Sequence, residues 1–456
     1  MAPPRQRYSK FFHPNRQSMP MSTLFNGEKA FKHIEKLAVE IGPRQGGYKE
    51  DRLAAEYIES EFKKLGLKTW RQGFEIRTGR TTAQRLEILE PYTEAVECEG
   101  MSMIGVSGPE GVEGELIRIE TTDEEYLTPE IEGKIVVTNA VKRKNLELIA
   151  KRKPLGFIFI ERYPRVLTKH FWGNFPQGKD YGSFPSVRVS FEDGLRLLKK
   201  GAKKARIVVE AERGTKKTQN VVAELTGSTR PEEIVVVGGH YDSVPGVRGA
   251  SDNAGGTAMT MELARVFKEK GSKRTLRFVA WGSEEMGLDG SNLYAKNLKK
   301  ADKEAKEKDE EAETELGLHR LCVNLDVHGA MIGTNAAIVL GTPMLTNSVK
   351  LLSRETGTVF DVKEGVYSSD GTPLSAVGIP SVSFSRRSGI DIMMHSVEDT
   401  IEYLSPDALE LQGRFIEKWM TRYVSEAAAF PFERKIPEKL RDEIKKYYDD
   451  WHEKLP

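Results

Sequence analysis

The stretch IVVVGGHYDSVPGVRGASDNAGG, residues 234–256, decides how the chain folds and where its chemistry lies. Its first four residues are apolar, as is typical of a buried strand. A glycine-rich loop follows at once and carries His240, Asp242 and Asp252. We predict that the two leading glycines, 238–239, let the backbone turn sharply after the strand. Three such side chains exceed the needs of one turn, so the loop either caps itself locally or holds a cation.

Strands and helices alternate around this stretch from about residue 215 onward. Runs typical of buried strands are NVVAELTG (220–227), TLRFVAW (275–281), RLCVNL (320–325) and GIPSVSFS (378–385). This alternation predicts an α/β sandwich whose central strands are mostly parallel and buried. Residues 23–65 are predicted to form two further helices that flank the loop GPRQGG.

The remaining segments differ in their sequence pattern from this α/β part. Residues 84–214 contain short strands such as GELIRI and LGFIFIE and are predicted to form a separate β-rich module. A chain of 456 residues is long enough for two domains, one inserted in the other. The charged run 299–315 is predicted to extend a helix into solvent. The tail, 426–456, is predicted to be one amphipathic helix that packs on the body or on a partner.

Composition excludes several classes of function. Lys+Arg number 69 against 68 Asp+Glu, a balance that argues against a nucleic-acid or membrane-surface partner. No run approaches the ~20 apolar residues of a membrane span. The two cysteines, Cys98 and Cys322, are too few for a disulfide framework and indicate a reducing compartment. The N-terminus lacks an apolar signal-peptide stretch, so we expect a cytoplasmic protein unless a leader was removed. The sequence does not indicate an oligomeric state.

Acids and histidines follow four of the predicted strands at their carboxyl ends. Because ligands of open α/β sheets bind outside these ends, the side chains are predicted to face one crevice. In chain order they are His240, Asp242, Asp252, Glu284, Glu285, Asp326, His395 and Asp399.

Each of these residues has a simpler explanation when it is considered alone. Asp252 is well placed to be a helix N-cap, and Glu284 and Glu285 could favour a helix start through the helix dipole. Single histidines are more often structural than ligands. The simple explanations fail for the group as a whole, because clustered carboxylates without matching basic residues repel one another unless a cation compensates them.

The types of ligand indicate which cation this would be. Two imidazoles and three carboxylates suit Zn2+, with Mn2+ or Co2+ as substitutes, whereas Ca2+ and Mg2+ prefer oxygen alone. Five ligands are too many for one open tetrahedral site. If one carboxylate bridges, the set divides into two sites of three ligands each, with room for a shared water.

Five motifs, taken in order, resemble those of a known enzyme family. HYDSV (240–244), GASDNAGG (249–256), WGSEEMGL (281–288), VNLD (323–326) and MMHSVEDT (393–400) resemble the co-catalytic di-zinc aminopeptidases of metallopeptidase family M28, of the aminopeptidase Y type. The resemblance implies the zinc exopeptidase fold, a three-layer α/β/α sandwich around a mostly parallel mixed sheet. That domain would comprise residues 23–83 and 215–425. Residues 84–214 resemble the protease-associated (PA) domain that many members carry as an insertion.

The resemblance also implies a role for each residue of the motifs. Asp252 would bridge two zinc ions, His240 and Asp326 would complete one site, and Glu285 and His395 would complete the other. Glu284 would be the general base and acid. Asp242 would orient His240, and Asp399 would be an outer partner near His395.

The implied reaction is removal of the N-terminal residue of a peptide substrate by a hydroxide that two metal ions and Glu284 activate. The tyrosine that many relatives carry before the last histidine is Met394 here. Other candidates for contacting the oxyanion or substrate are His328, Tyr367, Arg386 and Arg387. The arginine pair could instead contact a substrate carboxylate, as in a dipeptidase or carboxypeptidase. Further alternatives are a one-zinc glutaminyl cyclase and a non-catalytic receptor-like protein.

Overall fold

The computed structural model describes residues 23–142, 145–169, 184–387, 393–450 and 455–456. Its α-helices are α1 (Gly27–Ile34), α2 (Lys49–Lys64), α3 (Leu146–Lys151), α4 (Phe191–Lys199), α5 (Gly256–Lys270), α6 (Asp289–Lys306), α7 (Glu315–Leu318), α8 (Pro343–Thr356), α9 (Gly371–Ala376), α10 (Pro406–Met420) and α11 (Glu438–Asp450). Its strands are β1 (Lys68–Glu90), β2 (Glu94–Val96), β3 (Glu99–Gly100), β4 (Val112–Arg118), β5 (Ile135–Thr138), β6 (Gly156–Ile160), β7 (Ser186–Val189), β8 (Lys204–Leu225), β9 (Arg230–His240), β10 (Arg274–Trp281), β11 (His319–Leu325), β12 (Thr334–Leu340), β13 (Phe360–Glu364) and β14 (Ser381–Arg387). Segments of π-helix continue α1 (Glu35–Ile41), precede α5 (Ala250–Gly255) and continue α10 (Thr421–Ser425).

The central sheet has the order β13-β12-β14-β11-β9-β10-β8. Strand β9, which contains the apolar run 234–237, lies between β10 and β11 and is parallel to both. Strand β14 is parallel to β11, whereas β8 and β12 pair antiparallel with β10 and β14. The predicted mostly parallel sheet is therefore confirmed, and the carboxyl ends of four strands lie at one edge.

Both faces of this sheet are covered. Along β9, Val235 and Val237 pack into a core with α1, α5, α8 and α10, while Val236 packs on the opposite face with Tyr294 of α6 and Leu374 of α9. Alternate side chains of a strand point to opposite faces, so a strand that is apolar at every position needs cover on both. The predicted three-layer α/β/α sandwich is confirmed.

The two glycines before His240 do not form the predicted turn. Strand β9 runs through Gly238 and Gly239 and ends only at His240. A Cβ at Gly238 would lie 2.5 Å from the Val279 oxygen, and one at Gly239 would lie 2.4 Å from the Leu325 oxygen. These glycines therefore allow neighbouring backbone to approach closely, which is a different use of the missing side chain.

Residues 84–214 join the central sheet through a long antiparallel ribbon. Strands β1 and β8 pair from Lys68 opposite Glu224 to Glu90 opposite Lys204. Strand β1 is thus continuous from Lys68 to Glu90. Beyond the ribbon, β4 to β7 form a parallel set with α3 and α4 around it. The predicted boundaries at 83/84 and 214/215 fall inside the ribbon, and the division into domains stays a prediction.

The C-terminal tail contains α11, whose apolar side packs against the body. Leu440, Ile444 and Tyr448 are buried, and the Tyr448 hydroxyl donates to Asn292 Oδ1 of α6 at 2.8 Å. Helix α6 ends at Lys306, so the charged run 299–315 is helical only in its first half. Both cysteines are buried and free. Among the helices of the described ranges, none has the length and apolar character needed to cross a bilayer.

Candidate metal centre

The carboxyl ends of four neighbouring strands bring the five predicted ligands together. His240 is the last residue of β9, Glu285 lies four residues after β10, Asp326 directly follows β11, and His395 lies eight residues after β14. Asp252 comes from the π-helical turn before α5. Parallel strands end on the same side of a sheet, and this is the physical reason why residues so distant in sequence meet.

His240 is surrounded by carboxylates. Its Nε2 lies 3.2 Å from Asp252 Oδ1, 3.4 Å from Asp326 Oδ1 and 3.9 Å from Glu284 Oε2. A ring nitrogen carries at most one proton, so a single N–H cannot satisfy three acceptors. A metal ion among these atoms would satisfy all of them.

His395 faces the other side of the same Asp252 carboxylate. Its Nε2 lies 3.0 Å from Asp252 Oδ2 and 3.3 Å from Glu285 Oε2. The two oxygens of Asp252 thus point to different histidines. This is the arrangement that a carboxylate needs to bridge two ions.

The donor set fits zinc. Two ligand atoms of a tetrahedral site with bonds of about 2.0–2.1 Å lie about 3.3 Å apart, which matches the spacing around both histidines. Asp326 Oδ1 and Glu285 Oε1 are buried and have no hydrogen-bond partner among the described residues. Buried carboxylate oxygens are normally paired, so these two atoms are placed to bind a cation.

The electrostatics of the cluster agree with this interpretation. Burial raises the pKa of Glu284 well above its ordinary value, and it raises the pKa of Glu285 to about 7. Burial acts to lower the pKa of His395, but the neighbouring carboxylates of Glu285 and Asp252 raise it to about 10. The cluster of acids thus favours positive charge at His395, a role that a divalent ion could take.

Asp242 links the two halves of the cluster. Its carboxylate accepts the backbone N–H of Glu284 at 3.0 Å and of Glu285 at 3.3 Å, and Oδ1 lies 3.4 Å from His240 Nδ1. It is fully buried. One side chain therefore positions the Glu284–Glu285 turn and limits the orientation of the His240 ring.

Left-handed backbone occurs beside three of the ligand positions. Ser283 has φ 60°, Val327 has φ 59° and His395 has φ 62°. Such conformations cost non-glycine residues on the order of 1 kcal/mol each and persist where surrounding structure holds them. Ser283 and Val327 lie two residues after the ends of β10 and β11, beside Glu285 and Asp326, whereas His395 is itself a predicted ligand, eight residues after β14.

The turn around Asp252 differs from the expected helix cap. Helix α5 begins at Gly256, whose N–H donates to Asn253 Oδ1 at 2.8 Å, so Asn253 performs the capping role expected of Asp252. The backbone N–H of Asp252 donates to Asp399 Oδ2 at 3.1 Å, and Ser251 donates to Asp399 Oδ1. Asp399 thus holds the loop that carries Asp252, and its placement as an outer partner near His395 stays a prediction.

Among the candidates for the oxyanion contact, Tyr367 is the one whose phenol is influenced by the charges of the cluster. Burial raises the pKa of the Tyr367 phenol well above its ordinary value, and the charges of Asp326, Asp252 and Glu284 act in the same direction. The phenol therefore keeps its proton at neutral pH and can donate it. The Arg387 guanidinium stacks over this ring, 5.2 Å from its centroid.

The other two candidates take part in packing. His328 is fully buried, and its Nδ1 lies 2.9 Å from Gln412 Oε1 of α10. Arg386 donates to the Ala330 oxygen at 2.6 Å, to Asn335 Oδ1 at 2.7 Å and to the Met331 oxygen. Contact of His328 and Arg386 with the substrate stays a prediction. These hydrogen bonds do not favour it.

The inserted segment reaches the loop that carries His395. The backbone N–H of Lys169 donates to the His395 oxygen at 2.7 Å, and Lys169 Nζ pairs with Glu99 at 3.0 Å. A cavity of about 340 Å³ lies beside these residues and extends to Gly246 of the loop between His240 and Asp252. Its lining contains none of the five predicted ligands, so this cavity is separate from the candidate metal centre.

Asp370 is a buried acid near the site that the sequence analysis missed. Its Oδ1 accepts from Ser291 at 2.6 Å, while Oδ2 is buried without a hydrogen-bond partner among the described residues. Burial raises the pKa of Asp370 to about 7. Its position three residues after Tyr367 was the available signal, but it follows no predicted strand.

Comparisons with known proteins agree with the geometry. The profile of peptidase family M28 matches residues 220–420, which include all five predicted ligands. Aminopeptidase YwaD of Bacillus subtilis is 27% identical over 94% of this chain and 90% of its own length. Carboxypeptidase Q of Bos taurus is 28% identical over 58% of this chain and 60% of its own length.

Solved structures establish the fold independently. A zinc aminopeptidase from Bacillus subtilis matches with a TM-score of 0.73 at 24% identity and covers 91% of this chain and 100% of its own. An aminopeptidase from Aneurinibacillus sp. strain AM-1 matches with a TM-score of 0.70 at 24% identity, over 90% of this chain and 96% of its own. Taken together with the ordered motifs and their convergence at one sheet edge, the profile match identifies residues 220–420 as a peptidase domain of family M28, and the solved structures show the same fold.

Proposed function

We propose that the protein is a zinc-dependent aminopeptidase that holds two zinc ions and removes the N-terminal residue of peptides. The observation that carries the proposal is the Asp252 carboxylate, whose Oδ1 faces His240 at 3.2 Å and whose Oδ2 faces His395 at 3.0 Å. The similarity to aminopeptidase YwaD over nearly the whole chain supports the same activity.

The proposed ligand assignment follows the distances. Asp252 would serve both sites, His240 and Asp326 would complete one, and Glu285 and His395 would complete the other. Mn2+ or Co2+ would fit the same nitrogen and oxygen atoms.

Zinc, when bound, would polarise the scissile carbonyl and acidify a water molecule. Glu284 accepts the proton of the attacking water and later donates it to the departing amine. Burial raises its pKa above the ordinary value of a glutamate. Its side chain is 11% exposed, so substrate can reach it. Tyr367 is the proposed donor to the oxyanion, in the role that a tyrosine at position 394 would otherwise take.

A carboxypeptidase or dipeptidase is the second candidate, supported by the similarity to carboxypeptidase Q. Such an enzyme needs a cation for the substrate carboxylate, and the sequence offered Arg386 and Arg387 for this purpose. Arg386 donates to Ala330, Met331 and Asn335, which leaves Arg387 for this purpose. Aminopeptidase activity is the better supported of the two, because the similarity to aminopeptidase YwaD extends over 94% of this chain and that to carboxypeptidase Q over 58%.

A panel of matched peptides tests the substrate class. The zinc-loaded protein is incubated with one tripeptide in free, N-acetylated and C-amidated form, and products are identified by mass spectrometry. We expect loss of the first residue from the free and amidated forms and no cleavage of the acetylated form. Release of the last residue from the acetylated form would instead identify a carboxypeptidase, and cyclisation of an N-terminal glutamine without cleavage would identify a cyclase.

Removal of the metal is expected to abolish activity and to lower the melting temperature. The buried carboxylates then lack their compensating cations, and binding that stabilises only the folded state is lost, at about 2.7 kcal/mol per site for zinc at 100 times its Kd. Dialysis against a chelator, followed by calorimetry and a peptide assay with and without added Zn2+, measures both effects. Full activity after exhaustive removal of zinc would contradict the proposal.

Asp242→Asn is expected to weaken zinc binding by about 10–100-fold, the usual cost of removing a partner that orients a ligand. An amide retains one acceptor oxygen, so it cannot hold both backbone N–H groups and the His240 ring together. Zinc titration of the metal-free variant, with circular dichroism to check folding, measures the change. An unchanged zinc affinity would remove Asp242 from its proposed role.

A further inference from the structure

Arg44 is buried behind the loop that carries two of the predicted ligands. It belongs to the segment GPRQGG, residues 42–47, which connects the first two helices. Its relative exposure is 0%. A buried guanidinium is costly unless its donors and its charge are matched, so the identity of its partners is informative.

The guanidinium of Arg44 donates hydrogen bonds to both ends of this loop. Nε donates to the Tyr241 oxygen at 2.7 Å, at the start of the loop. Nη1 donates to the Arg248 oxygen at 2.6 Å and Nη2 to the Gly249 oxygen at 2.9 Å, at its end. These carbonyls lie directly after His240 and a few residues before Asp252, so one side chain fixes the separation of the two ligand segments.

The same arginine anchors the loop to the helical layer. Nη1 also donates to the oxygens of Leu37 at 3.1 Å and Gly42 at 3.0 Å, in the segment that leads out of α1. Its backbone N–H donates to Ser243 Oγ at 3.0 Å, and the Ser243 hydroxyl donates to the Val247 oxygen at 2.8 Å. The Arg44 backbone and the Ser243 side chain thus form a second hydrogen-bonded connection inside the loop.

The charge of Arg44 is also placed to act on the cluster. Burial lowers its pKa to about 10, and the carboxylates of Asp242, Asp399 and Asp252 oppose this effect. The group stays cationic at neutral pH and offsets part of the negative charge of the site without occupying a ligand position.

We infer that Arg44 is the positioning residue of the metal centre, which sets the distance between His240 and Asp252 through backbone carbonyls. The inference rests on the proposed function, since it concerns atoms proposed to hold zinc. A planar fork with five N–H groups is needed for these acceptors, and lysine provides a point charge with three donors. Arg44→Lys therefore keeps the charge and removes the geometry.

Arg274 provides a matched control. It is also 0% exposed, and its Nη1 donates to the oxygens of Val424 at 2.8 Å and Ala427 at 2.7 Å. It lies at the start of β10, at the opposite end of the sheet from the ligands. Arg274→Lys should therefore disturb the fold to a similar degree and leave the metal site intact.

Both variants are prepared metal-free and titrated with Zn2+ by calorimetry, and the Co2+ forms are compared by visible absorption. For Arg44→Lys we expect about a 10-fold or larger loss of zinc affinity, a changed cobalt spectrum and a lower kcat. For Arg274→Lys we expect a lower melting temperature with wild-type zinc affinity and spectrum. Equal zinc affinities and spectra in the two variants would overturn the inference.

Two further outcomes keep the test decisive. If the wild-type protein binds no zinc, the proposed function fails before the variants are compared. If Arg44→Lys does not fold, Ser243→Ala removes only the second hydrogen-bonded connection, which the Ser243 hydroxyl makes. A smaller loss of zinc affinity with an intact fold is then expected. Wild-type affinity in that variant would count against positioning of the site by this network.

Discussion

Replacing Asp252 with asparagine is expected to remove both zinc ions and to reduce peptide hydrolysis to the background rate. The two carboxylate oxygens face different histidines, at 3.2 and 3.0 Å, so this side chain is shared by both proposed sites. An amide offers one oxygen and a nitrogen that repels a cation. The loss of affinity should therefore exceed the ~10–100-fold cost of removing a hydrogen-bonding partner of a ligand.

Metal analysis of the purified variant and zinc titration of its metal-free form measure this loss. Glu417→Gln is the matched control, because Glu417 is also fully buried and accepts the backbone N–H groups of Leu24 and Phe25, remote from the ligands. That variant should bind two zinc ions. A variant at Asp252 that still binds two zinc ions would show that another residue bridges them.

Glu284→Gln is expected to lower kcat by about 10²–10⁴-fold, the usual contribution of a general acid-base group, while zinc content stays at the wild-type value. Glutamine preserves the size of the side chain but cannot accept and return the proton. The backbone N–H of residue 284 still donates to Asp242, so the turn is retained.

Zinc content is the decisive readout for Glu284, because its carboxylate lies near enough to His240 and Asp326 to share an ion with them. Loss of one zinc together with activity would make Glu284 a ligand. Retention of activity would remove it from the mechanism. Glu262→Gln is the control, since Glu262 is buried on α5 and accepts from Asn26 and Arg265.

The sequence was sufficient to predict the sheet and the set of candidate ligands. His240 ends a strand with a buried apolar run, and Glu285 and Asp326 come shortly after two more such strands. Strands of this kind lie side by side in a parallel sheet. Glu285 and Asp326 lie within four residues of the ends of β10 and β11, so the positions of these strand ends determine where the two carboxylates lie. Family membership follows from the same ordered motifs.

The details that depend on tertiary contacts could not be predicted. Gly238 and Gly239 look like a turn in sequence, but they permit close approach of neighbouring strands. Asn253 and Asp252 are adjacent, and only the path of the chain decides which one caps α5. Arg44 gives no local signal of its role, since the three acceptors that carry it are carbonyls of a loop about 200 residues away.

The role of residues 84–214 likewise depends on a contact between residues that are distant in sequence. Lys169 donates its backbone N–H to the His395 oxygen, although the two residues are far apart in sequence and strand texture alone gives no indication of their pairing. The insertion is therefore placed to influence the ligand that completes the second proposed site.

Zinc titration of the metal-free, full-length protein tests the central claim most directly. A site bridged by Asp252 predicts two equivalents of zinc per chain, with activity appearing as they bind. A single equivalent at saturation, or activity in a protein that binds no metal, would contradict it.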